Sequence, residues 1–131
     1  MQEQRVGKLW GYEIWFANND KYCGKMLAVN KGVWSSNGKF HYHKIKDETF
    51  FVIEGNLLLD YEEDGVFYSI TLKPGQSFRV IPGVKHRFSS EKGQCKFIEA
   101  STTHMESDSY RCEWDMEKEE WIEAIIEPST G

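Results

Sequence analysis

Hydrophobic and polar residues alternate along most of this chain in short bursts, each closed by a turn signal. Within residues 5–16, Tyr12, Ile14 and Phe16 alternate with Glu13 and Trp15, a period of two that predicts a β-strand with at least one buried face. Asn18, Asn19 and Asp20 mark a turn, and residues 25–29 predict the next strand, on which Lys25 shares a face with Leu27 and Val29. Strands at 33–36 and 40–43 flank Asn37-Gly38, a hairpin-type turn pair. Thr49, Phe50, Phe51, Val52 and Ile53 form a β-branched and aromatic run closed by Gly55, which predicts a central strand with Phe50 and Val52 on one face and Phe51 and Ile53 on the other. Further strands follow at 57–61, 66–72 and 77–81, around His86, and at 94–100, where Cys95, Phe97 and Glu99 share a face. Many short strands at regular spacing predict an all-β sandwich or barrel. Residues 101–111 are polar and read as a loop. From Asp115 the texture changes. Asp115 can cap a helix, and Trp114, Trp121, Ile122, Ile125 and Ile126 form a stripe near helical period, so a short C-terminal helix is expected before Pro128.

The length of 131 residues suits one domain, with the barrel over about 8–101 and an extension over about 102–131. A formal net charge of −5 offers no basic footprint for nucleic acid, so an anionic ligand would need a local cluster of Lys or Arg. Cys23, Cys95 and Cys112 are odd in number and scattered, which suits free thiols in a reducing compartment. Residues 1–8 are polar and no stretch approaches a membrane span, so a cytoplasmic protein without membrane association is expected.

The candidate chemistry sits between the strands. His41 and His43, two residues apart on a strand, point to the same side, and Glu48 follows five residues later. Two imidazoles and a carboxylate are three parts of a metal site, and His86 offers a fourth donor. His104 lies in the polar loop with no partner legible from the sequence and reads as structural or exposed.

These stretches resemble the two cupin motifs. His41, His43, Glu48 and Gly55 stand as H-x-H, four residues, E, six residues, G; Gly75, Gly83 and His86 fit the second motif. The chain departs from the pattern at Ile81, which replaces the first proline, and at Ser35 and Ser90, where a glycine and an asparagine would stand. The resemblance implies a double-stranded β-helix, the jelly-roll barrel of cupins, holding one divalent ion (Mn, Fe, Co, Ni, Cu or Zn) on His41, His43, Glu48 and His86. Cupin barrels commonly pair through their outer sheets, so a homodimer is expected, with the Phe51 and Ile53 face and the Trp121 stripe as candidate contacts.

A narrower resemblance rests on Trp10-Gly11, Lys25, His86-Arg87, Ile98-Glu99 and Arg111, which are similar to elements of the cupin domain of type II mannose-6-phosphate isomerases. It implies a metal-dependent sugar or sugar-phosphate isomerase in which the metal stabilises enediolate charge, Glu48 is the one acid placed at the metal, and Lys25, Arg87 and Arg111 are candidates to meet phosphate or sugar hydroxyls. A cupin dioxygenase and a non-catalytic sugar-binding or regulatory cupin are the alternatives. A pocket with basic residues beside the metal favours the isomerase; an apolar pocket favours the dioxygenase.

Overall fold

The computed structural model describes residues 4–124. Twelve strands follow one another: β1 (Gln4–Lys8), β2 (Gly11–Asn18), β3 (Cys23–Val29), β4 (Phe40–Tyr42), β5 (Glu48–Glu54), β6 (Leu57–Glu63), β7 (Val66–Leu72), β8 (Ser77–Val80), β9 (His86–Ser90), β10 (Cys95–Ser101), β11 (Tyr110–Asp115) and β12 (Glu120–Glu123). They form two six-stranded antiparallel sheets, ordered β1-β2-β3-β10-β5-β8 and β12-β11-β4-β9-β6-β7. This is the all-β jelly roll of the cupin class. From β3 to β6 and again from β7 to β11 successive strands alternate between the sheets, so residues far apart in sequence meet across the barrel. No helix among the described residues is long and apolar enough to cross a membrane.

Period-two alternation decides what fills the interior. Lys25, Leu27 and Val29 of β3 are all buried, as are Phe50 and Val52 of β5 and Cys95, Phe97 and Glu99 of β10. Their neighbours Phe51 and Ile53 remain exposed on the outer face. Trp10, Phe50, Phe88 and Phe97 pack edge to face at centroid distances of 5.1 to 6.2 Å and give the barrel an apolar floor. The three cysteines are buried free thiols. Gly11 is fixed by contact as well as by conformation: at φ +152° a Cβ would lie 1.9 Å from the Ala28 carbonyl oxygen on the adjacent strand.

In β2 the predicted alternation holds, and the buried face is the one that carries Glu13, while Phe16 is exposed. Trp15 opposes Lys25 in the β2–β3 register, and the Glu13 carboxylate accepts from Trp15 Nε1 at 2.7 Å and lies 3.8 Å from Lys25 Nζ. The inward face of β2 therefore serves a polar end of the barrel.

The expected C-terminal helix is a β-hairpin, β11–β12, with Trp114 paired to Trp121. Asp115 does accept from the amides of Glu117 and Lys118, as a cap would, but the bonds close a turn. Trp121 packs on Phe40, Phe67 and Trp114 and donates to Glu62, so its partner is its own chain. Ile125 and Ile126 of the same stripe lie outside the described residues.

Candidate metal centre and the cavity above it

Four elements bring the predicted ligands together. His41 on β4 is register-paired with His86 on β9, His43 follows β4 directly, and Glu48 opens β5 in the facing sheet. The two motifs are tied by backbone, since the amide of Gly83 donates to the His43 carbonyl at 2.6 Å. Gly83 sits at φ +90°, a conformation that favours glycine.

Asp108, which sequence reasoning did not single out, organises the turn between His43 and Glu48. Its buried carboxylate accepts from the amides of Lys44, Ile45 and Lys46 at 2.9 to 3.2 Å, and its carbonyl accepts from His43 Nδ1 at 2.8 Å. Burial alone would raise the Asp108 pKa; the three amides outweigh it and hold the group below the usual carboxylate range. Asp108→Ala is expected to cost at least about 2 kcal/mol of stability by leaving these amides unpaired. Urea denaturation checks it, and a midpoint equal to the parent's would show that the turn holds itself.

With their Nδ1 protons directed to the carbonyls of Asp108 and Val84, His43 and His86 present Nε2 lone pairs inward. Each Nε2 is 3.5 Å from Glu48 Oε2. The His41 and His86 rings lie 4.0 Å apart between centroids. Burial is the main cause keeping all three imidazoles neutral, and their mutual repulsion or the nearby Lys46 adds to it. The pKa falls to about 3 for His43, to about 4 for His86 and well below the usual range for His41.

Three buried atoms, His41 Nδ1, Glu48 Oε2 and His86 Nε2, have no hydrogen-bond partner among the described residues. Orphaned buried polar atoms each cost about 1–3 kcal/mol, and a cluster of them aimed at one place fits a cation. Neutral imidazole and carboxylate are the donor types that a divalent transition metal takes. Among the described residues no group of three or more His, Cys, Asp or Glu side chains is placed to hold a metal ion as it stands. His41, His43, Glu48 and His86 would have to draw closer together to ligate one.

Above this set lies a cavity of about 70 Å³ lined mostly by polar groups. It contains an ionic cluster that the sequence reading missed. Lys46, only 3% exposed, lies 2.9 Å from Glu99 Oε2 and 3.7 Å from Glu48 Oε1. Lys46 thus bridges the Glu48 and Glu99 carboxyl groups, which interact directly. Burial, then the charge of Glu99, pushes Glu48 up to about 8. Burial also opposes ionisation of Glu99, but Lys46 and Lys25 prevail and hold it well below the carboxylate range. The proton of the pair therefore rests on Glu48 until a cation claims that group.

Of the three predicted substrate residues, Lys25 and Arg111 line this cavity and Arg87 does not. Arg111 donates from Nε to Ser36 Oγ and has no carboxylate within ion-pair distance among the described residues. Arg87 turns to the outer face, where it bonds Asp60 and the Gly38 carbonyl and covers Phe40. It alternates away from His86 on β9, so the pleat itself sets this outcome. His104, read as a lone loop residue, also lines the cavity, because the polar loop folds back across the barrel mouth. A lysine two residues before Glu48 was the one local sign of Lys46; nothing local marked Glu13 or His104 as its neighbours.

A fold with these two motifs in register defines the class: the chain belongs to the cupin family, whose cupin domain model matches residues 27–103, more than half its length. No curated protein matches the sequence. Among solved structures it is similar to KdgF from Halomonas sp., with 15% identity over 82% of this chain and 92% of that one and a TM-score of 0.66. It is also similar to the capsular polysaccharide assembling protein CapF from Staphylococcus aureus (14% identity, 83% of this chain and 34% of CapF, TM-score 0.71). Oxalate decarboxylase from Bacillus subtilis matches as well (12% identity, 84% of this chain and 30% of that one, TM-score 0.74). This chain thus spans about a third of the latter two proteins. At these identities the likeness is one of fold.

Proposed function

We propose that this protein is a metal-dependent enzyme acting on a small, oxygen-rich anion, with isomerisation of a sugar phosphate as its reaction. One observation carries the reading: Lys25, Lys46 and Arg111 share a single cavity with the neutral imidazoles of His41 and His43 and with the buried carboxyl groups of Glu48 and Glu99. An apolar aromatic substrate would leave Arg111 without a counter-charge in this polar cavity, whereas hydroxyls and an anionic group satisfy it. The narrower resemblance to the cupin domain of type II mannose-6-phosphate isomerases points to the same class.

In this reading His41, His43, Glu48 and His86 would hold one divalent ion, which would supply positive charge to stabilise negative charge developing on substrate oxygens. Arg111 and Lys25 bind and orient the anionic substrate, and the apolar floor of Phe50 and Phe88 excludes water from beneath the imidazoles. Glu48 would lose its proton to solvent on ligating an ion, and Glu99, fixed on Oε2 by Lys46 and Ser101, stays ionised beside it. The test is to load the protein separately with Mn, Fe, Co, Ni, Cu and Zn and assay mannose 6-phosphate isomerisation beside oxygen uptake. Oxygen consumption with an aromatic or thiol substrate and no isomerisation would replace the reading with a dioxygenase.

Homodimerisation through the outer face of β5 belongs to the same proposal, since Phe51 and Ile53 are 42% and 50% exposed there. A dimer by light scattering at micromolar concentration is expected, and Phe51→Lys with Ile53→Lys should give monomers. A parent that is already monomeric would remove this part.

A further inference from the structure

His104 stands in an unusual electrostatic position. Its Nδ1 accepts from two ammonium groups at once, Lys25 Nζ at 3.2 Å and Lys46 Nζ at 3.2 Å. Its Nε2 is 3.1 Å from Glu106 Oε1, which places the ring proton on Nε2 and the lone pair on Nδ1. A neutral imidazole nitrogen has one lone pair, directed in the ring plane, and two cations must share it. An anionic oxygen has more lone pairs and a full charge, so it would satisfy both ammoniums better than the ring does.

The cavity volume argues the same way. The roughly 70 Å³ left beside the ring has room for a few waters. Pockets that bury a small-molecule ligand run to about 300 Å³ or more. A ligand larger than a few waters therefore needs more space than this cavity leaves, and the His104 ring is one of the groups that bound it. The ring is also placed to leave. The His104 backbone is anchored, with its amide donating to Asn18 Oδ1 at 2.9 Å and its carbonyl accepting from Asn18 Nδ2 at 3.3 Å. Thr103 Oγ1 adds a bond to the Asn19 carbonyl at 2.6 Å. The side chain, by contrast, is tethered outward to Glu106, whose carboxylate is 81% exposed. Rotation about the side-chain bonds carries the ring toward solvent without opening the loop.

We propose that Lys25 and Lys46 form an oxyanion subsite, for a carboxylate or phosphoryl oxygen of the substrate, and that His104 Nδ1 fills this subsite until the anion displaces it. The inference rests on the small-anion reading of this cavity but not on the reaction assigned to it. Lys46 keeps Glu99 as its counter-ion throughout, and Lys25 keeps Glu13, so the anion replaces only the imidazole lone pair. Trp15 packs its ring against both Lys25 and His104 and guides the exchange between them.

The test uses metal-free protein and two probes, inorganic phosphate and glycolate, titrated by isothermal calorimetry into the parent, His104→Ala and His104→Ala/Lys25→Met. Circular dichroism checks that each variant is folded. His104→Ala should bind one anion roughly tenfold or more tightly than the parent, because a competing charge-assisted hydrogen bond is gone. Adding Lys25→Met should reverse that gain. Preference for phosphate identifies a phosphoryl group and preference for glycolate a carboxylate. Because the variants alter the cavity, the unaltered protein is also followed by nitrogen NMR of its histidine rings. Saturating anion should move the His104 Nδ1 resonance as its two lysine partners leave. Equal affinity in parent and His104→Ala, full binding by the double variant, or an unmoved Nδ1 resonance at saturation would each overturn the proposal. If anions bind as described but the metal-loaded protein isomerises no sugar phosphate, the reaction assignment fails and the subsite remains.

Discussion

Glu48→Gln is expected to lower metal affinity by roughly 100-fold or more and to reduce isomerase turnover beyond what the metal loss explains. The substitution keeps the shape and one oxygen donor but removes the only negative charge in the proposed ligand set. It also removes one member of the buried carboxyl pair that Lys46 bridges. At 2% exposure the side chain has no water to compensate either loss. Lys25→Met should separate binding from metal retention: the ion stays, KM for the sugar phosphate rises roughly tenfold, and kcat changes less. The measurements are metal content after desalting and steady-state kinetics at saturating metal. Full metal and full activity in Glu48→Gln would show that the negative charge of Glu48 does not matter.

Local alternation made much of the interior legible. Lys25, Leu27 and Val29 face inward together, as do Phe50 with Val52 and Cys95 with Phe97 and Glu99, because strand geometry leaves no other choice once one member is buried. His41 and His43 obey the same rule. The rule fixes pairs of faces but not which face turns inward. In β2 the alternation left either face free to turn inward, and Glu13 is the buried residue, since Lys25 on the neighbouring strand supplies its counter-charge. That partner lies on another strand and has no local signature. Lys46, Glu99 and His104 belong to the same case. Each looks like a solvated charge or a loop residue alone, and burial becomes tolerable only when all meet. The C-terminal hairpin failed for a related reason. Asp115 makes the backbone bonds of a helix cap, and Trp114 and Trp121 fit a helical stripe as readily as a cross-strand pair. What decides is the surface that covers them, and Phe40 and Phe67 come from two distant strands.

Acid should destabilise the metal-free protein well before ordinary carboxylates titrate. The folded pKa of His43 is about 3 and that of His86 about 4, with His41 also far below its ordinary value, mainly because burial penalises the charged rings. An unfolded chain would protonate all three near 6.5. Between these limits the unfolded state binds more protons, so the stability the neutral rings provide is complete above about 6.5 and is lost as pH falls toward the folded values. Glu48 acts in the opposite sense. Its folded pKa of about 8 exceeds the unfolded carboxylate value, so its contribution improves as pH falls from about 8 toward about 4.5. Three rings against one carboxyl leave a net loss on the order of 3 kcal/mol between about pH 7 and about pH 5. Urea denaturation at the two pH values in the presence of a chelator reads this directly. Saturating metal should then raise the midpoint at both, and more at the higher pH, because the ion competes with protons for the same imidazoles. A chelated protein equally stable at both pH values would mean that the histidines are not held neutral in the fold, and the proposed ligand set would lose its electrostatic basis.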